Sequence, residues 1–106
     1  MNRRRLEERF CYKLSSELWY FKEGVLQHPK EEIISMAYQI DAVITIYEIL
    51  RELCRDMSQD ELRSCIRTPN FLDHCFKYWL KNPDSQMDEL QEVLVKQIRR
   101  TVKKAA

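Results

Sequence analysis

Among 106 residues there is a single glycine, Gly24, and there are three prolines. A chain this poor in residues that take positive φ or preset a turn has few means of building hairpins, and a small sheet needs them. The same scarcity removes the glycine-rich loops that cradle phosphate, since neither GxGxxG nor GxxxxGKS/T occurs. What remains is helix joined to helix.

The apolar spacing agrees. Leu6, Phe10, Leu14, Leu18, Phe21 and Val25 recur at steps of four, four, four, three and four, which predicts a helix from Arg4 to Glu23 with Gly24 placed to end it. Pro29, followed by Glu31 and Glu32, predicts a second helix opening on the proline and running to about Met57. Its run Val43-Ile44-Thr45-Ile46-Tyr47 is β-branched, yet Ile40, Val43, Tyr47, Leu50 and Cys54 keep the helical period. Ser58 and Glu61 form a capping-box pattern for a third helix ending near Ile66. Thr68-Pro69 predicts the start of a fourth, which reaches Lys81 before Asn82-Pro83-Asp84. Ser85–Asp88 opens the last, carrying Met87, Leu90, Leu94, Ile98 and Val102. The expectation is an all-α fold: one domain over residues 1–106, a compact bundle of about five helices around a central apolar helix at roughly 29–57.

Charged residues make up 33% and apolar residues 44% of the chain, a globular composition. The basic start Arg3-Arg4-Arg5 leads into Glu7 and Glu8 rather than an apolar stretch, unlike a signal peptide. The most apolar run, Ile33–Leu50, contains Asp41 and Glu48, which a bilayer tolerates poorly. A cytoplasmic protein with no membrane partner is expected. Cys11, Cys54, Cys65 and Cys75 are separated by 43, 11 and 10 positions, with no CxxC, so no disulfide framework is expected.

Those cysteines with His74 lack the close ligand pairs of a zinc site, and they fall on apolar stripes where core is expected. Nothing flanking them marks an electropositive pocket for a Cys–His nucleophile with His28 or His74. Three of the adjacent acidic pairs, Glu31-Glu32, Asp60-Glu61 and Asp88-Glu89, fall in helix first turns where acids complement the dipole. A helix-turn-helix reading of the third and fourth helices would present Asn70, Asp73, Lys77 and Lys81 to DNA, and the aspartate opposes phosphate. No catalytic, cofactor-binding or metal-binding residue is expected, and no cofactor; the chain reads as a non-enzyme.

The net charge of +1 conceals a strong segregation. Residues 1–30 carry seven basic and four acidic side chains, residues 31–92 six and thirteen, and residues 93–106 five and none. The acidic middle offers Glu48, Glu52, Asp56, Asp60 and Glu61 as a surface for a protein partner, and Tyr20 and Tyr78 fall off the apolar stripes as candidate interface aromatics. The basic ends offer Arg3, Arg4, Arg5, Lys96, Arg99, Arg100, Lys103 and Lys104 as the alternative, a nucleic-acid surface without interleaved aromatics. Basic ends of one copy meeting the acidic middle of another would give a homo-oligomer.

The series Pro29-x-Glu31-Glu32-Ile33-Ile34-x-x-Ala37-Tyr38, then Leu62 to Ser64, Leu72 with Tyr78-Trp79-Leu80-Lys81, and Asp84-Ser85-x-Met87-x-x-Leu90 resembles a family of small helical proteins of unknown function. These occur mainly in gut Firmicutes and in their phages and conjugative elements. The resemblance spans about residues 15–98 and departs at Ile40–Leu50, which is more apolar here. It implies an accessory protein of a mobile element that acts by binding, and it brings no catalytic residues. By that context the expected partner is host defence or regulatory machinery, for example a CRISPR nuclease inhibited as by an anti-CRISPR protein.

Overall fold

A computed structural model of the chain describes residues 2–81 and 90–105. It consists, among those residues, of six α-helices and one 3-10 turn, with no strand. The expected break at 82–84, the helix start at 85–88 and Met87 lie outside the described residues, as do the side chains of Leu90 and Lys104.

α1 spans Arg3–Leu26. Asn2 caps it, its side chain accepting from Arg5 N–H at 2.9 Å. Leu6, Phe10, Leu14, Leu18 and Val25 are buried as the spacing requires. Gly24 does not end the helix. It keeps a negative φ, and burial of Val25 carries the helix another half-turn before the N–H of Gln27 closes onto the Gly24 carbonyl at 3.2 Å.

The long second helix is divided. α2 is Lys30–Ser35, α3 is Ala37–Leu53, and a 3-10 turn covers Cys54–Asp56. Pro29 precedes α2 as its N-cap instead of opening it, with Glu31 and Glu32 in the first turn. The division falls at Met36, at φ −90° and ψ 5°. There the Ser35 hydroxyl donates to the Glu32 carbonyl at 2.7 Å, a side-chain bond that competes with the helical ladder. α2 buries no residue, whereas α3 buries Ala42, Val43, Ile46, Leu50 and Leu53.

α4, Gln59–Arg67, begins on the capping box its sequence announces. Glu61 N–H donates to the Ser58 hydroxyl at 3.1 Å, and Ser58 N–H to the Glu61 carboxylate at 2.7 Å. Thr68 does not start the next helix. Its hydroxyl donates to the Ser64 carbonyl at 2.9 Å and closes α4. α5 is Phe71–Leu80, preceded by Asn70 in the left-handed region at φ 49°. α6 is Leu90–Ala105.

α1 and α6 pack against the same three helices, α3, α4 and α5. The middle three are held between two long amphipathic ones. α1 rises about 36 Å at ~1.5 Å per residue, which accounts for most of the 45 Å long axis. The core joins all five, with Phe10 of α1 edge-on to Phe71 of α5 at 5.9 Å. Trp79 is buried, and its indole N–H donates to the Tyr38 hydroxyl at 2.9 Å. α3 contributes to this core, but its outer face is polar, so it is not wrapped on every side.

Candidate functional site

Cys54, Cys65 and Cys75 are core residues. Burial pushes the thiols of Cys54 and Cys65 up to about 12 and that of Cys75 well above its ordinary value. His74 is exposed on α5, and no three His, Cys, Asp or Glu among the described residues are gathered as a metal site would gather them. No helix among the described residues is long and apolar enough to cross a membrane.

The acidic candidates divide by role. Glu48 and Glu52 stand exposed on the outer face of α3 with Asp41, at steps of seven and four, and their carboxylates make no hydrogen bond or ion pair among the described residues. Asp60 pairs with Arg63 at 3.1 Å, and Glu61 is committed to the capping box. Asp56 and Glu61 also line a groove of about 300 Å³ with Leu53, Met57, Val95 and Arg99. There the acidic middle meets the basic α6 within one chain.

The basic ends are likewise unequal. Arg3 serves the fold, its guanidinium donating to the Arg55 carbonyl at 2.6 Å and the Cys54 carbonyl at 3.4 Å while pairing with Glu7 at 2.9 Å. It satisfies the Arg55 carbonyl where α3 gives way to the 3-10 turn, and adds to the bond that the Cys54 carbonyl accepts from Met57 N–H at 3.4 Å. Arg4 pairs with Glu8 at 3.4 Å, and Arg5 is exposed. On α6, Lys96, Arg99, Arg100 and Lys103 are exposed and share a face. Arg100 lies 5.9 Å over the ring of Tyr78. It faces Lys77 and Lys81 of α5 across a groove of about 160 Å³, also lined by His74, Gln97 and Thr101. The lysines considered for a DNA-reading helix therefore belong with the C-terminal basic stripe. Lys77 holds Asp73 at 3.0 Å, offsetting the acid that weakened that reading.

Tyr20 and Tyr78 occupy different grooves. Tyr78 is half-buried beneath Arg100. Tyr20 is 70% exposed, edge-on to Trp19 at 5.0 Å, and lines a groove of about 350 Å³ with Phe21, Gln39, Val43 and Leu72.

Two features escape the sequence reading. Glu17 of α1 caps α5 across the fold: its carboxylate accepts from Leu72 N–H at 2.8 Å and pairs with Lys13 at 2.8 Å. This replaces the side-chain cap that Asn70 does not make. The second is an outward stripe on α1, where Tyr12, Trp19 and Leu26 are 77%, 58% and 68% exposed. Their spacing of seven aligns them within about 40° on a helix of 100° per residue, opposite the buried stripe. The signal was present in the sequence, but a search for the core-facing period passes over it.

No protein-family model matches the chain, and neither a curated protein nor a solved structure matches it.

Proposed function

We propose that this chain is a non-enzymatic protein-binding module that acts by covering a surface of a protein partner. The observation that carries the reading is the outward stripe of Tyr12, Trp19 and Leu26, with Tyr20 beside it. These side chains do nothing for the core, and aromatic anchors of this kind dominate interface energetics. The chemistry of the partner follows from the uncompensated carboxylates of Asp41, Glu48 and Glu52, which favour a basic protein surface such as a nucleic-acid channel. With the sequence resemblance, this makes the chain an accessory protein of a phage or mobile element that inhibits or modulates host machinery, for example an anti-CRISPR inhibitor of an RNA-guided nuclease.

The test is binding to purified, guide-loaded RNA-guided nucleases. Tyr12→Ala with Trp19→Ala is expected to weaken binding at least about tenfold, the scale of hot-spot truncation, with the melting temperature unchanged. Glu48→Lys with Glu52→Lys is expected to slow association and flatten its salt dependence. A nuclease panel without binding removes that partner, and binding indifferent to both variants overturns the surface.

One observation favours a second reading, nucleic-acid binding: Lys77, Lys81 and Arg100 line one groove beside Lys96, Arg99 and Lys103. It expects affinity for duplex or single-stranded nucleic acid that falls steeply with salt, and a smaller salt slope in Lys81→Ala with Arg100→Ala.

A further inference from the structure

α5 and α6 meet along two matched faces. α5 brings Lys77, Tyr78 and Lys81 to the seam and α6 brings Gln97, Arg100 and Thr101, at the steps of three and four that share one side of a helix. The groove between them holds about 160 Å³. A pocket that encloses an organic ligand needs about 300 Å³ or more, so this one suits a small ion. Lys77 is paired with Asp73 at 3.0 Å. Lys81 and Arg100 are exposed and make no ion pair among the described residues, Arg100 lying instead over the Tyr78 ring. Two positive charges are therefore left over at the groove. Lys81 stands at the C-terminal end of α5, where a cation suits the helix dipole, and that alone would account for a lysine there. It does not account for Gln97. This residue is only 2% exposed and forms the inner wall of the groove, and its Oε1 has no hydrogen-bond partner among the described residues. The other buried oxygen in that position, Glu17 Oε2, is held in the ion pair with Lys13 at 2.8 Å. Buried polar atoms are paired almost without exception, so an open acceptor beside two free cations calls for an anion that carries a hydrogen-bond donor.

We propose that the α5–α6 groove binds a protonated oxyanion, the hydrogenphosphate ion, with its two negative charges against Lys81 and Arg100 and its P–OH donating to Gln97 Oε1. Both halves of the site are needed. The cations hold any dianion of this size, and the buried carbonyl selects among dianions by the proton. Sulfate matches hydrogenphosphate in charge and shape but has no proton to give. A phosphate monoester releases its last proton at about pH 6, and the phosphodiester of a nucleic-acid backbone has none. The carbonyl therefore favours inorganic phosphate over the backbone contacts that the basic stripe of α6 offers on its own.

The experiment titrates the full-length chain at pH 8 and constant ionic strength with inorganic phosphate, sulfate and methyl phosphate in turn. These are three dianions of which only the first carries a proton. Binding is read by calorimetry and by the amide chemical shifts of the seam. The expected result is saturable binding of phosphate, with shifts centred on residues 77–81 and 97–101, at least about tenfold tighter than that of either other anion, the scale of a hydrogen bond to a charged group. Lys81→Ala with Arg100→Ala should abolish the binding of all three. Gln97→Leu places an apolar side chain of similar size beside the buried Leu94 and Ile98. It should keep the fold and the weak binding of all three anions, and lose the preference for phosphate. Equal affinity for the three anions, no saturable binding of phosphate, or a preference that survives in Gln97→Leu would each overturn the assignment. The comparison among anions needs no variant, so it decides the matter even if Gln97→Leu does not fold.

Discussion

Glu17 is a residue whose role its own helix does not reveal. On α1 it looks like the acidic half of an i, i+4 pair with Lys13, an arrangement worth only a few tenths of a kcal/mol. Across the fold it accepts from Leu72 N–H, so it joins the first helix to the start of the fifth. Its removal leaves a part-buried donor unsatisfied, and the cost of that is about 1–3 kcal/mol. Glu17→Ala is expected to lose that much in urea denaturation, and Glu17→Gln, which retains an acceptor, less. Gly24 is the opposite case. It is helical, has a negative φ, and an added Cβ would meet nothing within 4 Å. Gly24→Ala should therefore stabilise the chain by about 0.5–1 kcal/mol, through the smaller backbone entropy of the unfolded state. An unchanged or lower denaturation midpoint would mean that the end of α1 needs a freedom the helix does not show.

At the scale of elements, local chemistry was legible and long-range chemistry was not. The capping box at Ser58 and Glu61 is a contact between neighbours, and it formed where the pattern placed it. Ser58→Ala is expected to cost about 1 kcal/mol, measured by thermal or urea unfolding, with the rest of the fold intact. The buried stripe of α1 was equally plain, because a helical period in large aliphatic residues has few other meanings. The errors lay at boundaries. Pro29 stands one position before the helical start its type predicts, and Gly24 lies inside α1, three residues before the cap at Gln27, since a glycine can continue a helix and a proline can cap one. Thr68-Pro69 carried the residue types of a helix start, but the threonine hydroxyl turned back onto α4, and the cap came from α1. The break at Met36 had no glycine or proline to announce it. It separates a segment that buries nothing from one that builds the core, a distinction made by tertiary packing. Of the candidate surfaces, the sequence supplied the charged residues but not their company. Arg99 beside Asp56 and Glu61, and Arg100 facing Lys77 and Lys81, depend on how α6 lies on α4 and α5.

The whole molecule is stabilised by a core that includes three thiols, and this makes its stability sensitive to alkali. In the folded chain the thiols of Cys54 and Cys65 are pushed up to about 12, against 9.0 for a thiol in an ordinary setting, and that of Cys75 is pushed well above its ordinary value. The cause in each is burial, which disfavours the thiolate. Below about 9 both states keep these protons and the thiols leave stability independent of pH. Between 9 and 12 the unfolded chain has lost them and the folded chain has not, so stability falls as pH rises through that window. Each such thiol contributes a slope of about 1.4 kcal/mol per pH unit at most. Urea midpoints measured from pH 7 to 11 should therefore be level at first and then decline. Cys65→Ala isolates one contribution. It begins less stable, because it leaves a cavity among fully buried side chains, but its decline above pH 9 should be shallower than that of the parent chain by the share of one thiol. Parallel declines in the two proteins would show that Cys65 ionises as readily folded as unfolded, and that the core around it admits water.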